Sequence, residues 1–358
     1  MRIGIPAEIM NQEGRVSASP QAVASLLHDG HTVLVQRGAG AHSSFTDADY
    51  EAAGAVLGTA EEAWACELVL KVKEPQPEEY RFLRRDLILF TYLHLAASPE
   101  LARALTEAGT TAIAYETVTD AMGGLPLLTP MSQVAGRLAV LAGAHHLQST
   151  QGGRGVLLSG IPGTPPGKVV VIGGGHVGAS AVAMAAGLRA EVTVLDISAR
   201  VLERFDDVYQ GRVRTVLSDP AALAAELADA DLVIGAVLVA GAKAPVLVSD
   251  AMVATMRPGS VLVDVAIDQG GCFESSRKTS YSDPTFTVGE TVFYCVPNMP
   301  GAVAHTSTRA LSAATSPYVR AIANLGVDGA IEQYPGLAGG INVRDGEIVN
   351  AAVARALG

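Results

Sequence analysis

The chain has 358 residues, of which 49% are hydrophobic and 17% are charged, so it is too apolar for an intrinsically disordered protein and long enough for two domains. Its net charge of −11 leaves no basic surface for nucleic acid. The three cysteines lie far apart without C-x-x-C spacing, so we expect neither a metal site nor a disulfide framework.

The first 120 residues alternate short apolar runs with amphipathic, helix-like segments. This alternation predicts a parallel sheet with helices on its faces. A stretch rich in Ala and Leu at 131–150, which lacks Pro, then predicts one long helix that links two domains. The predicted strands of the first region are 2–6, 32–36, 68–73, 87–94 and 111–116.

A glycine-rich turn after residue 172 predicts a dinucleotide site. A β-branched run enters the turn at Gly173, a helix of small residues follows, and a second strand ends at Asp196, 18 residues after Gly178. Gly173 allows the tight turn, Gly175 lets the backbone approach a pyrophosphate, and Gly178 permits close packing of helix and strand. The helix N-terminus attracts phosphates, and a carboxylate at Asp196 favours NAD over NADP.

Further strands are predicted at 212–217, 231–238, 260–268 and 291–296, and they extend the nucleotide-binding sheet. A helix is predicted at about 306–324. The remaining residues show no convincing pair of strands, and we expect this C-terminal region to return to the first domain. The fold class is therefore α/β, with two Rossmann-like, doubly wound parallel-sheet domains and a cleft between them.

Five charged residues stand at or near the predicted carboxyl ends of strands, where open parallel sheets bind ligands. Arg15 suits a carboxylate, Lys73 suits a carboxylate or a carbonyl oxygen, and His94 titrates near neutrality as a proton-transfer group does. Glu116 ends another strand, and Asp268 is positioned to exchange a proton with a substrate or to orient water or ammonia. Each also has a purely structural interpretation: a solvated loop charge for Arg15, an exposed strand end for Lys73, a hydrogen-bonding histidine, and a helix cap for Asp268.

The N-terminus lacks the apolar core of a signal peptide because Pro6 and Glu8 interrupt it. Residues 169–188 carry no Asp, Glu, Lys or Arg, yet their clustered glycines predict a strand, turn and helix rather than a membrane span. We therefore expect a cytoplasmic protein whose partners are small molecules, without a membrane.

Several long, ordered blocks are similar to the alanine dehydrogenase family over nearly the whole chain. The blocks are Arg2-Ile-Gly-Ile-Pro, Glu13-Gly-Arg-Val, Leu70-Lys-Val-Lys-Glu-Pro, Phe90-Thr-Tyr-Leu-His-Leu-Ala, Ala114-Tyr-Glu-Thr-Val, Pro130-Met-Ser, Ala135-Gly-Arg-Leu, Gly152-Gly-Arg-Gly-Val-Leu, the glycine turn, 236–245, Asp264-Val-Ala-Ile-Asp-Gln-Gly-Gly and Asn298-Met-Pro-Gly-Ala-Val.

The resemblance implies a discontinuous substrate domain, 1–128 with 302–358, an NAD-binding domain at 129–301, and a homohexamer. It implies reversible oxidative deamination of L-alanine to pyruvate and ammonia with NAD, or NADH in reverse. Arg15 and Lys73, with His94 and Asn298, would bind the substrate, and His94, Asp268 and Lys73 would be catalytic. The implied cofactor site comprises Ser132, Gly173, Gly175, His176, Val177, Gly178, Asp196, Ser218, Val237, Leu238, Ile267, Asp268 and Asn298.

Some positions depart from the family pattern, namely Met10, Gln133, His176, Arg189 and 304–305. None of them removes the four side chains proposed for chemistry. They leave three alternatives open: a related NAD(H)-dependent dehydrogenase or imine reductase for another small 2-oxo or 2-amino acid, the NAD(H)-binding component of a transhydrogenase, and a non-catalytic NAD-responsive homologue. The retained Lys73, His94 and Asp268 argue against the transhydrogenase component.

Overall fold

The alternating strands and helices build two units, each around its own sheet. The computed structural model describes residues 1–237 and 244–357. Unit one comprises Met1–Met131 and Gly301–Gly358, and unit two comprises Ser132–Pro300.

The strands, in chain order, are short. They are β1 Arg2–Ile5, β2 Thr32–Gln36, β3 Val56–Gly58, β4 Leu68–Leu70, β5 Ile88–Thr91, β6 Thr111–Ala114, β7 Lys168–Ile172, β8 Glu191–Asp196, β9 Val213–Leu217, β10 Leu232–Gly235, β11 Val261–Asp264, β12 Thr285–Val288, β13 Thr291–Tyr294, β14 Ile341–Arg344 and β15 Glu347–Ile348.

The α-helices are α1 Pro20–His28, α2 Asp47–Ala52, α3 Ala60–Trp64, α4 Pro99–Ala108, α5 Thr129–His146, α6 His176–Gly187, α7 Ala199–Tyr209, α8 Pro220–Leu227, α9 Asp250–Val253, α10 Ala304–Gln333 and α11 Ala351–Leu357. Short 3₁₀ helices lie at Ala41–Ser43, Pro77–Phe82, Leu95–Ala97, Tyr115–Thr117, Ser149–Gln151, Ile267–Gln269, Met299–Val303 and Pro335–Gly340.

The sheet of unit one has the order β15-β14-β6-β5-β4-β1-β2-β3. Strands β1 to β6 run parallel, whereas β14 pairs antiparallel with β6 and with β15. The chain runs outward from β1 through β2 to β3 and then returns to place β4 on the other side of β1. The strand order therefore reverses between β1 and β4, and this is where such sheets bind ligands.

The sheet of unit two has the order β12-β13-β11-β10-β7-β8-β9 and is parallel except for the edge strand β12. Its order reverses between β7 and β10. Every residue of β7 is buried, since side chains alternate between two apolar cores: Val169 and Val171 belong to one, Val170 and Ile172 to the other. Burial on both faces explains why the strand reads as a continuous apolar run.

The fold class is confirmed as α/β in two domains, but each sheet is mixed rather than wholly parallel. The expectation of no strand pair near the C-terminus was wrong. Strands β14 and β15 form a hairpin whose turn residues, Asp345 and Gly346, have φ of 53° and 84°. An Asp-Gly pair with both φ values positive is a typical two-residue hairpin turn, so the sequence did contain the signal.

Several predicted bounds also differ from the observed ones. Strands β4, β5, β6 and β11 end two to four residues earlier than predicted, at Leu70, Thr91, Ala114 and Asp264. Helix α5 ends at His146, and α10 runs to Gln333 across a break at Gly326, whose φ is 71°. Strands β3 and β12 were not predicted. After β4, β5 and β11, carboxylates bind backbone amides that would otherwise continue the sheet, whereas β6 passes into the 3₁₀ turn Tyr115–Thr117.

Candidate functional site

Four of the charged residues singled out in the sequence follow neighbouring strands of unit one. Arg15 follows β1, Lys73 follows β4, His94 follows β5 and Glu116 follows β6. Since these strands are adjacent and parallel, their carboxyl ends share one edge of the sheet at the reversal of strand order. The topology thus collects two cations, an imidazole and a carboxylate from distant parts of the sequence.

Arg15 is buried, with 3% of its side chain exposed. The alternative that Arg15 is only a solvated charge in a loop is therefore wrong. Its Nε donates to Oε1 of Glu13 over 2.7 Å, and its Nη2 forms an ion pair with Oε2 of the same carboxylate. Its Nη1 contacts the sulfur of Met131 at 3.1 Å. This paired, fork-like geometry fixes the plane of the guanidinium.

The backbone of Lys73 is held from two sides. Glu8 accepts hydrogen bonds from the amides of Val72 over 2.6 Å and Lys73 over 3.3 Å, and the hydroxyl of Thr91 donates to the Lys73 carbonyl over 2.9 Å. Burial raises the pKa of Glu8, although the charge of nearby Lys71 opposes that shift. The segment that carries Lys73 is therefore positioned by a carboxylate on the loop after β1.

A buried charge cluster lies beneath this segment. The Lys71 ammonium is fully buried and lies 3.0 Å from Glu8 and 2.9 Å from Glu79. Burial lowers the pKa of Lys71, but the charges of the two carboxylates outweigh it and the net shift is upward. Lys71 therefore stays protonated, and it compensates the carboxylate that holds Lys73.

His94 adopts a left-handed backbone conformation, with φ 50° and ψ 35°. Its Nδ1 lies 3.2 Å from Oε2 of Glu74, and its ring stacks on Tyr92 at a centroid distance of 5.9 Å. Partial burial lowers the pKa of His94, but the hydrogen bond to Glu74 and the charge of Glu116 outweigh that effect, so the pKa lies above its ordinary value. The positive charge of Lys73 opposes this rise.

These contacts link the three candidate residues into one neighbourhood. Glu8 binds the Lys73 amide and interacts electrostatically with Arg15. Tyr92 also interacts electrostatically with Arg15, and its ring stacks on His94. The hydroxyl of Tyr92 donates to the Leu127 carbonyl over 2.7 Å, and burial raises the pKa of Tyr92. Arg15, Lys73 and His94 therefore follow neighbouring strand ends and share contacts with Glu8 and Tyr92.

In unit two, the glycine turn has the geometry that the sequence predicts. Gly173 has a φ of 96°, and a Cβ on Gly178 would lie 1.7 Å from the Gly173 carbonyl oxygen. A Cβ on Gly175 would meet no atom of the described residues within 4 Å. The backbone is thus open at Gly175, beside the first amides of α6, where a phosphate can be bound.

Asp196, at the end of β8, binds the turn from the neighbouring strand. Its Oδ2 accepts from the Gly174 amide over 2.7 Å, and its Oδ1 accepts from the Ser198 amide over 2.8 Å. Nη2 of Arg204 donates to the Gly174 carbonyl over 3.1 Å. The acid predicted to contact a ribose therefore holds the glycine turn in place.

The other predicted cofactor residues lie around the same end of the sheet. Helix α5 approaches the start of α6 so closely that a Cβ on Gly136 would lie 2.1 Å from the Val177 carbonyl oxygen, and Ser132 precedes Gly136 by one helical turn. The amide of Ser218 donates to the Asp196 carbonyl over 2.9 Å. Val237 follows β10 beside Gly173, and Leu238 lies outside the described residues.

Asp268 lies in the 3₁₀ turn Ile267–Gln269 after β11, where it is exposed and is not the cap of an α-helix. Its Oδ2 accepts from the Asn298 amide over 3.3 Å, so the structure brings these two predicted residues together. Asn298 has a positive φ of 52°. Ile267 is buried and anchors the turn in the core.

Comparisons with known proteins identify the family of the chain. The chain matches the models "Alanine dehydrogenase/PNT, N-terminal domain" at residues 4–135 and "Alanine dehydrogenase/PNT, C-terminal domain" at 139–351. The chain belongs to the alanine dehydrogenase family. It is 55% identical to the alanine dehydrogenase of Mycobacterium tuberculosis (strain ATCC 25618 / H37Rv) over 360 residues, covering 100% of this chain and 97% of that one.

Two solved structures are similar over nearly the whole chain. An L-alanine dehydrogenase superposes with a TM-score of 0.97 at 51% identity and covers 99% of both chains. A transhydrogenase from Sinorhizobium meliloti gives a TM-score of 0.84 at 26% identity and covers 98% of this chain and 100% of that one. The family predicted from the sequence is therefore confirmed.

Sequence reasoning about this alanine dehydrogenase family member missed the carboxylates that support the site. Glu8, Glu13 and Glu74 each contact a predicted residue or its backbone, and Glu74 follows Lys73 directly in the sequence. Asp264 was also missed. It is buried at the end of β11 and accepts from the amides of Ala266 and Cys272, and burial raises its pKa against the effect of these hydrogen bonds.

The departures from the family pattern leave these contacts intact. His176 is exposed at the start of α6, Gln133 is exposed on α5, and Arg189 takes a positive φ of 63° after α6. Nδ1 of His305 lies 2.7 Å from the Ser43 carbonyl oxygen in unit one. Met10 lies in the loop between β1 and Arg15.

Within residues 1–237 and 244–357, no group of three or more His, Cys, Asp or Glu side chains is arranged to hold a metal ion. Within the same ranges, none of the helices combines the length and the apolar character that crossing a bilayer requires.

Proposed function

We propose that this chain is an NAD-dependent L-alanine dehydrogenase, which catalyses the reversible oxidative deamination of L-alanine to pyruvate and ammonia. The observation that carries the proposal is the position of Arg15, Lys73 and His94 after neighbouring strands of unit one, in a chain whose second unit has an open glycine turn. Family membership supports the same reaction.

The residues of unit two fit a dinucleotide. The backbone at Gly175 leaves room for a phosphate, and the start of α6 supplies amides and partial positive charge. Asp196, which binds the Gly174 amide of the same turn, would bind the ribose. These residues would hold NAD, which would supply a hydride acceptor for deamination and, as NADH, a hydride donor for amination. The carboxylate of Asp196 favours NAD because it would repel a 2′-phosphate.

In unit one, Arg15 and Lys73 would hold the substrate. The guanidinium of Arg15, fixed by Glu13, presents donors to the substrate carboxylate, and the Lys73 ammonium stabilises the oxo oxygen. Two cations held in place recognise any small 2-oxo or 2-amino acid. The size of the binding site, and not these two charges, would determine which substrate side chain is accepted.

His94 would exchange protons with the substrate. Because its pKa lies above the ordinary value, it is protonated over a wider pH range and can donate a proton during amination, then accept one during deamination. Asp268, held beside the Asn298 amide, would orient ammonia or water and accept a proton. Asn298, Ser132 and the remaining cofactor residues would align the reactants.

The test is NADH oxidation with pyruvate and ammonium, followed at 340 nm in wild type and in His94→Ala. The matched control is His145→Ala, since His145 is an exposed histidine of α5. We expect turnover in wild type and control and its loss in His94→Ala. Turnover that survives in His94→Ala would remove the proposed role of this histidine.

Glyoxylate and branched 2-oxo acids in the same assay separate the alternatives. A preference for one of them would indicate a related dehydrogenase or imine reductase, since Arg15 and Lys73 do not select the substrate side chain. No turnover with any oxo acid, together with NADH binding, would indicate a non-catalytic NAD-responsive protein.

We also propose a homohexamer in the cytoplasm, on the strength of the family resemblance. Sedimentation velocity should give a species six times the monomer mass of 36.8 kDa. Fractionation of cells that express the protein would test its location.

A further inference from the structure

Glu116 is the one residue in the row of strand-end charges to which the proposed reaction gives no part. It follows β6, whose neighbour β5 leads to His94. Its Oε1 accepts a hydrogen bond from the His94 amide over 2.6 Å, and both of its oxygens lie 3.2 Å from the Leu93 amide. The carboxylate therefore binds two successive backbone amides of the segment that presents the imidazole.

These two amides have left the sheet, because β5 ends at Thr91. An amide in a half-buried turn needs an acceptor, and a carboxylate at 2.6 Å is a strong one. Glu116 thus supplies the acceptor that a continued strand would have supplied. This also explains why β5 stops short of the apolar run from which a longer strand was predicted.

His94 also has a backbone conformation that a side chain with a Cβ adopts rarely, with φ 50°. Such a conformation persists when the surroundings fix it, and it is found often at active sites. The His94 carbonyl accepts from the Ala97 amide over 2.9 Å, which starts the turn Leu95–Ala97. The Glu116 contact and this turn together hold the backbone on both sides of the histidine.

The ring of His94 is oriented by different groups. Glu74 contacts Nδ1, and the Tyr92 ring stacks on the face of the imidazole. The charges of Lys73 and Glu116 shift the pKa of the imidazole in opposite directions, Lys73 downward and Glu116 upward. Glu74 therefore sets the ring, and Glu116 sets the backbone from which the ring projects. The two carboxylates can be removed separately.

We propose that Glu116 is a positioning residue for His94, which holds the left-handed turn at residues 93–94 so that the imidazole faces the substrate. The proposal rests on the proposed proton-transfer role of His94. Glu116 would then have two separable roles: it accepts hydrogen bonds from two backbone amides, and it places a negative charge near the imidazole.

Two substitutions separate these effects. Glu116→Gln keeps an oxygen that can accept from the His94 amide but removes the charge, so the pKa of His94 should fall and kcat at the optimum should change less than about threefold. Glu116→Ala removes the acceptor as well. It should lower kcat by about ten- to a hundredfold with pyruvate and ammonium, while KM for NADH stays at the wild-type value.

The control is Glu67→Ala. Glu67 also accepts a backbone amide in this sheet, that of Arg2 over 2.7 Å, but it precedes β4 and so lies at the opposite edge. If the two carboxylates served only to stabilise the fold, Glu67→Ala and Glu116→Ala should lower the Tm to a similar extent and leave kcat unchanged. The effect on kcat should be confined to Glu116→Ala.

The pH dependence gives a second readout. Loss of the Glu116 charge lowers the pKa of His94, so in Glu116→Gln the limb of the amination profile that falls as His94 loses its proton should move to lower pH. NMR titration of the His94 ring, assigned with His94→Gln, should show the same direction without reference to activity. Glu67→Ala should leave both curves at their wild-type positions.

The outcomes distinguish this inference from the proposed function. Wild-type kcat in Glu116→Ala, with an unchanged His94 titration, would overturn the positioning role while the alanine dehydrogenase assignment stands. A wild-type protein without turnover would refute the proposed function. In that case the NMR titration still decides whether Glu116 controls the environment of His94.

Discussion

The close packing of Gly178 against Gly173 gives the sharpest test of the dinucleotide site. In Gly178→Ala the new Cβ would lie 1.7 Å from the Gly173 carbonyl oxygen and 2.8 Å from its carbonyl carbon. Ordinary contact between such atoms is about 3.5 Å, so the substitution is impossible without movement. Both partners are backbone atoms, and relief therefore requires that α6 move away from the turn after β7.

Such overpacking typically costs about 1–3 kcal/mol, and this case lies near the upper end because the two atoms that overlap with the new Cβ are backbone atoms. In a unit the size of Ser132–Pro300, a loss of about 3 kcal/mol lowers Tm by roughly 6–12 °C. The same movement displaces the first amides of α6. NADH binding should therefore weaken along with stability.

Thermal denaturation and titration of NADH fluorescence measure the two effects. Gly187→Ala is the matched control, since Gly187 ends the same helix and an added Cβ meets no described atom within 4 Å. It should raise stability by about 0.5–1 kcal/mol, because Ala favours a helix more than Gly does. Gly175→Ala should leave Tm unchanged, since its Cβ meets no described atom within 4 Å, and should raise the Kd for NADH about tenfold or more, since that space is the one proposed for a phosphate.

The reasoning would be refuted by Gly178→Ala with the wild-type Tm, because the overlap with a backbone oxygen would then have no energetic consequence. Gly175→Ala that binds NADH as the wild type does would refute the placement of the phosphates. The two results are independent. One tests the packing of helix on strand, and the other tests the site that this packing creates.

Three further predictions concern the charges around the two sites. Asp196→Ala should raise the Kd for NADH and bring it closer to the Kd for NADPH, as measured by fluorescence titration with each coenzyme. An unchanged ratio of the two Kd values would contradict the assignment of Asp196 to the ribose. Lys71→Met leaves two carboxylates buried without their cation and should cost about 3–5 kcal/mol in urea denaturation, whereas Arg81→Ala, which removes an exposed pair, should cost about 0.5 kcal/mol or less. Glu74→Gln removes the Nδ1 partner of His94, so the pKa of His94 should fall and the limb of the amination profile that reports it should move to lower pH; a limb that stays in place would show that another group titrates.

Much of both sites was predictable because the relevant signals are local in sequence. Gly173, Gly175, Gly178 and Asp196 form one strand-turn-helix-strand unit, in which each residue type follows from backbone geometry at its own position. The strand-end charges of unit one were found by a rule of topology, since parallel strands bring their carboxyl ends to one edge. Neither inference required knowledge of contacts between distant segments.

The supporting carboxylates could not be found in this way. Glu8 binds the amide of Val72 and Glu116 binds that of His94, over 64 and 22 residues of sequence. Propensity gives no indication of such a pairing, which depends on the strand order of the folded sheet. The strands β4 and β5 were predicted too long for the same reason: apolar residues continue past the point where a carboxylate ends the ladder.

The mixed edges have another origin. Strand β15 has two residues and β12 lies at an edge with partly exposed side chains, so neither shows the continuous apolar run of a buried parallel strand. The Asp-Gly turn before β15 predicts a hairpin, even though the apolar pattern of the flanking strands is weak. Turn chemistry, rather than hydrophobicity, is the reliable guide where a sheet ends.

The arrangement of unit one shows why so many carboxylates surround a site proposed to bind an anion. Arg15 is held by Glu13, the Lys73 segment by Glu8, and His94 by Glu74 and Glu116. Each carboxylate fixes one donor in place before the substrate arrives, so less ordering remains to be done on binding. The cost is a weaker net attraction for anions. A site of this kind gains rate by alignment more than by charge, and positioning residues such as Glu116 should therefore affect kcat more strongly than the KM for pyruvate.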